Sequence, residues 1–168
     1  DVPDWYIKSC EKIKYMFPKA HAVAYVTMAF RIAWFKVHIP LAYYAAYFSI
    51  RADEFDSEFM IHGKEKVKAK MKEIEQQGNN ATQKDKGMYT ILEIVLEFYE
   101  RGFDFLPIDL YKSHSNKFQI EDGKIRPPLS SIAGLGGIAA ENIYQAAKDG
   151  QFMCIDDLQL RAKIGKST

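Results

Sequence analysis

Lys19 and His21 are the residues best placed by type and spacing to do chemistry, because both fall in the first turn of a strongly predicted helix. The run Phe17-Pro18-Lys19-Ala20-His21-Ala22-Val23-Ala24-Tyr25 opens on a proline. Proline fixes φ and has no N–H to lose, so it suits the entry of a helix expected to continue through Trp34 and Lys36. A helix N-terminus already carries partial positive charge and ordinarily attracts acids. Two basic side chains there make chemical sense if an anion docks: the free backbone N–H groups, the dipole and Lys19 would converge on a phosphate. Tyr25 lies one turn beyond His21 on the same face, so its ring would stand above that phosphate. Phosphate below and an aromatic plate above outline a nucleotide pocket. The plainer reading of the same spacing is a core aromatic one turn from a surface histidine.

A second phosphate-seeking pattern occurs late in the chain, at Ile132-Ala133-Gly134-Leu135-Gly136-Gly137-Ile138. Glycines let the backbone come close to a phosphate, and the N–H groups of a following helix would point at it. This is the pattern of a helix–hairpin–helix, expected to turn Ala139, Ile143 and Ala146 inward, with Lys148 further along the same helix. Such contacts fix a duplex in place and read no bases. The plain alternative is a loop.

Other chemistries find no footing. Gly165-Lys166-Ser167 has the ending of a P-loop, but Leu160 occupies the position of its first glycine and no strand precedes it. The four histidines lack ligand spacing, no Asp-x-Asp pair occurs, and no zinc site or two-metal carboxylate pair is expected. Cys10 and Cys154 stand far apart, which fits a reducing cytoplasm and neither a disulfide framework nor a nucleophile with a local base.

The elements that must position these residues are mostly helical. At 168 residues and 48% hydrophobic, the chain can bury a core. A net charge of +1 means that any basic surface is local. The apolar runs 22–30 and 41–50 fall short of the ~20 residues a membrane span needs. They are expected as buried helices instead, the first packed on several sides because it is apolar nearly all round. In order, the pattern predicts helices over 5–16, 18–37 and 40–50, then a charged amphipathic helix over 58–77 with Val67, Met71 and Ile74 as its stripe. Asp53 and Asp56 are available as caps between them. Residues 78–87 read as a flexible linker. A helix over 88–101 buries Ile91, Ile94, Val95 and Phe98 and stops at Arg101-Gly102. Short strands are expected at 103–110, then a hairpin around Asp122-Gly123. The fold class is thus mainly α with a small α+β subdomain. The domain limits are 1–77, a linker over 78–87, 88–128 and 129–168. An opening on Asp1 and an ending at Lys166-Ser167-Thr168 suggest an excerpt of something larger.

Taken together, these residues resemble the bacterial C-family replicative DNA polymerases, in particular the PolC type of the DNA polymerase III alpha subunit. The similarity is carried by Trp5-Tyr6-Ile7, by Lys12-Ile13-Lys14-Tyr15-Met16-Phe17-Pro18-Lys19-Ala20-His21-Ala22 and by Ile32-Ala33-Trp34-Phe35-Lys36. It continues through Tyr43-Tyr44-Ala45-Ala46-Tyr47-Phe48, Arg51-Ala52-Asp53, Glu100-Arg101-Gly102-Phe103, the segment 132–143 and Asp157-Leu158-Gln159-Leu160-Arg161. Val23, where relatives often carry a small residue, is a minor departure. The resemblance implies helical fingers over 1–77, in which Phe17, Lys19, His21 and Tyr25 border the incoming deoxynucleoside triphosphate. It implies a helix–hairpin–helix, probed by Gly134, Leu135, Gly136, Gly137 and Lys148, gripping duplex primer–template DNA. The catalytic aspartates and the Mg2+ they hold would belong to a palm upstream, so this stretch would be inactive alone. A sliding clamp and other replisome subunits would be partners of the whole protein. A non-catalytic helix–hairpin–helix scaffold and a helical protein-binding domain are the rival readings.

Overall fold

A computed structural model describes residues 1–14 and 18–165. Phe17, placed above beside the nucleotide, lies outside the described residues. The elements are α1 (Asp4–Glu11), α2 (Lys19–His38), α3 (Pro40–Arg51), α4 (Ser57–Met60), α5 (Lys64–Gln77), α6 (Gln83–Glu100), the strands β1 (Gln119–Glu121) and β2 (Lys124–Arg126), then α7 (Gly137–Lys148) and α8 (Ile155–Ala162). The chain is therefore mainly helical with one small two-stranded sheet, as expected.

Pro40 begins α3 at the position where its missing N–H costs nothing. One face of α3 then buries Tyr44, Ala45 and Phe48. Three boundaries differ from the sequence pattern. The helix expected over 5–16 ends at Glu11, and residues 12–14 are not helical. The helix expected over 58–77 is two helices, because Gly63 adopts φ 95° and breaks the run. The polar stretch 78–87, expected as an unpatterned linker, holds a 3-10 turn at Gly78–Asn80 and the start of α6. Thr82 and Asp85 make a reciprocal capping box: Thr82 Oγ1 accepts from the Asp85 N–H at 3.1 Å, and Asp85 Oδ2 accepts from the Thr82 N–H at 2.9 Å. The Thr82 hydroxyl, donating to Asp85 Oδ2 at 2.6 Å, and then the Thr82 N–H hold the Asp85 carboxyl below its usual range.

The short connection makes α5 and α6 an antiparallel pair. Tyr89 bonds Glu75 at the turn end, while Lys64 and Lys68 pair with Glu100 at the other. There the Tyr99 hydroxyl donates to the Met60 carbonyl at 2.9 Å and accepts from the Gly63 N–H at 3.2 Å. Burial pushes the Tyr99 phenol up to about 12. Val67, Ile74, Ile91, Leu92, Val95 and Phe98 from this pair meet Tyr44 and Phe48 of α3 in the main core.

The hairpin around Asp122-Gly123 forms as expected, with φ 52° and 74° at the two turn residues, the signature of a primed turn. The strands expected over 103–110 reduce to one parallel bridge between Phe105 and Ile125. Buried Arg126 fastens the preceding loop, donating from Nε to Glu121 and from Nη1 to the Pro107 carbonyl, each at 2.7 Å. A second, thinner core of Leu129, Ala140, Ile143, Ala146 and Ala162 holds α7 to α8. Ala140 is the fully buried alanine of α7; Ala139, expected inward, is only half-buried, one position off the stripe.

The largest correction concerns α2. Expected to be buried on several sides, it has no buried residue; Phe30 is 72% exposed and Trp34 52%. It packs along α3, and its apolar composition is not matched by covering elements among the described residues. No helix of the described residues is long and apolar enough to cross a membrane.

Candidate nucleic-acid interface

The N-terminal end of α2 has the features an anion site requires. Pro18 precedes it at φ −58° and ψ 140°, no side chain caps it, and its first turn holds no acid. The His21 and Tyr25 rings touch, with centroids 4.4 Å apart and planes tilted by 58°, and Tyr25 is 67% exposed. At about 100° per residue, His21 and Tyr25 lie about 40° apart on the helix, whereas Lys19 lies about 120° from Tyr25. The structure thus brings His21 and Tyr25 together and sets Lys19 round the helix end from them. The arrangement suits an anion capping the helix axis with a ring at one side, rather than a ligand lying along one face.

The glycine turn is built as a backbone platform. Gly134 has φ 82°, and the Leu135 N–H closes the turn on the Ile132 carbonyl at 3.1 Å. Gly136 then caps α7 with extended backbone, without a side-chain cap and with no acid in the first turn. A Cβ added at Gly136 or Gly137 would meet nothing within 4 Å, and neither residue has positive φ. Among the described residues, no neighbour would clash with a side chain at those two positions.

Two of the expected hairpin residues do other work. Leu135 packs into the second core and anchors the turn instead of facing solvent. Lys148 lies in the last turn of α7, about 16 Å along the axis from Gly137. Its ammonium sits 4.1 Å from the Tyr144 ring centroid, so it cannot share a phosphate with the glycines. Beside the turn, Asp53, Glu54, Asp56 and Lys84 face residues 130–136 across an open cleft of about 360 Å³. Its carboxylates favour anion approach from the open end of α7 over approach through the cleft.

Among the described residues, no group of three His, Cys, Asp or Glu side chains stands close enough to hold a metal ion.

His114 packs against the same helix, its ring 4.6 Å from that of Tyr144. Its Nδ1 accepts from the Asn116 N–H at 3.2 Å, which requires that nitrogen to be unprotonated. Burial lowers the imidazole pKa from its ordinary 6.5, and Lys117 and Lys148 lower it further against Glu141, which raises it. With the folded value depressed, the unfolded chain binds the proton more readily. His114 therefore contributes stability above about pH 6.5, and that contribution is lost as the pH falls toward the folded value. Thermal unfolding between pH 5 and 8 should show a slope of at most about 1.4 kcal/mol per pH unit that His114→Gln removes. An unchanged slope in the variant would place the titration elsewhere.

Sequence reasoning missed three groups that hold these surfaces in place: Arg101 with Glu97, Lys36, and Arg161. Arg101 was legible as a helix stop and part of a similarity, and Arg161 as part of a similarity; neither pattern says which carbonyls the guanidinium reaches.

A short turn of glycines feeding an uncapped helix, backed by a small alanine-rich core, defines the helix–hairpin–helix class. A family profile described as "Helix-hairpin-helix motif" matches residues 102–168. Over 99% of its length the chain is 54% identical to the DNA polymerase III PolC-type of Clostridium perfringens and 53% identical to that of Bacillus subtilis. It is also 52% identical to that of Listeria monocytogenes over 166 residues. The chain belongs to the PolC-type DNA polymerase III family, and it spans about 12% of the length of these relatives.

Proposed function

We propose that the chain is the nucleotide- and duplex-binding part of a replicative, DNA-directed DNA polymerase of the PolC type. Its helical portion up to residue 77 serves as fingers, and residues 129–168 grip primer–template DNA. The observation that carries the reading is the pair of uncapped, acid-free helix starts, at Lys19 and at Gly137. Each offers backbone N–H groups to phosphate. At the first, Lys19 neutralises charge growing on the leaving pyrophosphate, the most useful single contribution to phosphoryl transfer. His21 holds phosphate or donates a proton, and Tyr25 presents a ring to the nascent base pair. At the second, Gly134, Gly136 and Gly137 let the duplex backbone come close.

The described residues do not fit a metal site. The Mg2+ of the full-length enzyme is held by palm residues elsewhere in the longer protein, and this segment alone does not polymerise. The whole enzyme works in the cytoplasm with a sliding clamp and other replisome subunits.

Lys19→Ala in the full-length polymerase tests the reading. Losing one charge-assisted bond to phosphate costs about 1.5–3 kcal/mol, or about one to two decades in nucleotide affinity or rate. Melting should hardly change, because the side chain lies on the exposed first turn of α2. Wild-type nucleotide kinetics with intact duplex binding would favour a helix–hairpin–helix scaffold instead.

A further inference from the structure

We propose that Arg101, Glu97 and Lys36 form a positioning clamp that sets the angle of α2 and so aims Lys19, His21 and Tyr25 at the incoming nucleotide. The inference rests on the nucleotide-site reading above. Its physical basis is that α2 is a lever. Among the described residues α2 packs chiefly along α3 and has no buried residue of its own, so the contacts at its C-terminal end weigh heavily in setting its angle. Lys36 lies about 25 Å along the axis from Lys19, so a tilt of about 10° at the clamp moves the far end by about 4 Å. A nucleotide site tolerates far less than that.

The clamp joins three helices at the C-terminal end of α2. Arg101 Nη2 donates to the Lys36 carbonyl at 3.2 Å, one of the last-turn carbonyls that no N–H of α2 can satisfy. Its positive charge also complements the negative end of the helix. Nη1 of the same guanidinium donates to the Tyr44 hydroxyl at 3.1 Å, and Tyr44 is fully buried in the main core. Glu97 of α6 accepts from Lys36 Nζ at 2.7 Å and faces Arg101 at 4.0 Å. The Glu97 bond holds the Lys36 ammonium above the ordinary lysine value. One fork therefore reads the end of α2 against both α3 and α6. A lysine in place of Arg101 would bring a point charge without the planar fork that reaches the two acceptors from separate nitrogens.

The test uses the full-length polymerase. Arg101→Met should raise the KM for deoxynucleotides by about 2- to 30-fold, the range spanned by substitutions along such connecting networks. Misaiming Lys19 should lower kcat as well, whereas duplex affinity should be unaltered, since the glycine turn lies in another part of the fold. Lys36→Glu and Glu97→Lys should each raise KM, and the two together should restore it; this exchange decides the matter if Arg101→Met does not fold. An unchanged KM in Arg101→Met, or a double variant no better than the singles, overturns the clamp when Lys19→Ala in the same protein raises KM. If Lys19→Ala is silent as well, the nucleotide site itself is wrong and the clamp falls with it.

Discussion

Phe98→Ala is expected to destabilise the chain by about 3–5 kcal/mol, the cost of emptying a fully buried aromatic site that cannot collapse. Phe98 has no exposed surface. Its ring lies 4.6 Å from Phe105, 5.1 Å from Tyr44 and 5.5 Å from Phe103, centroid to centroid, so α3 and the connection after α6 lose contact with it together. Those partners are themselves fixed by helix and bridge backbone, which limits relaxation into the void. Phe98→Leu, closer in volume, should cost markedly less. Urea unfolding of the two variants measures the difference, and a Phe98→Ala loss below about 1 kcal/mol would mean that the ring stack is not the centre of the core. The consequence reaches the proposed function, because Tyr44 is both a face of this stack and an anchor of Arg101.

What was legible in the sequence depended on whether the deciding physics was local. Pro40 at a helix start, the Asp122-Gly123 turn and the stripe of Ile91, Val95 and Phe98 are each settled by a few neighbouring residues, and all three stand in the structure. The turn at Gly134, where φ is 82°, belongs to the same class. The break at Gly63 was harder, since a lone glycine in a charged run is compatible with a continuous helix. The stretch 78–87 hid a helix start because Thr82 and Asp85 look like linker residues until their reciprocal bonds are seen. For α2, apolar composition states a demand for burial without saying which surface meets it, so the expectation of neighbours on several sides had no local check. The site shows the same divide. The basic helix start at Lys19 and His21 and the glycine turn could be read from residue types, whereas Leu135 turning inward and Lys148 lying far from the turn needed the helix axis and the core. Arg101 and Arg161 act on carbonyls distant in sequence, which no spacing rule reveals.

Arg161→Met should cost about 3 kcal/mol, near the upper end for losing hydrogen bonds from one charged group, because several acceptors lose their donor together. The Arg161 guanidinium donates to the carbonyls of Ala146, Gly150 and Gln151, closing the C-terminal end of α7, and pairs with Asp157 at 3.4 Å. It also lies 4.5 Å from the centroid of the Phe152 ring, which stacks on Tyr111. The core beneath is small, with three alanines among its five buried residues, so apolar burial there offsets little of the loss. Methionine preserves the stem and removes the donors, which separates hydrogen bonding from packing. With α8 released, α7 loses its most extensive helical neighbour among the described residues and the glycine turn loses its fixed aim. Duplex affinity of the full-length protein should then fall together with the unfolding temperature of this region, while nucleotide KM, governed from the far side of the main core, should hold. If duplex affinity survives the loss of stability, the glycine turn does not depend on α8 for its geometry, and the DNA grip must be carried by Gly134–Gly137 and the second core's remaining contacts alone.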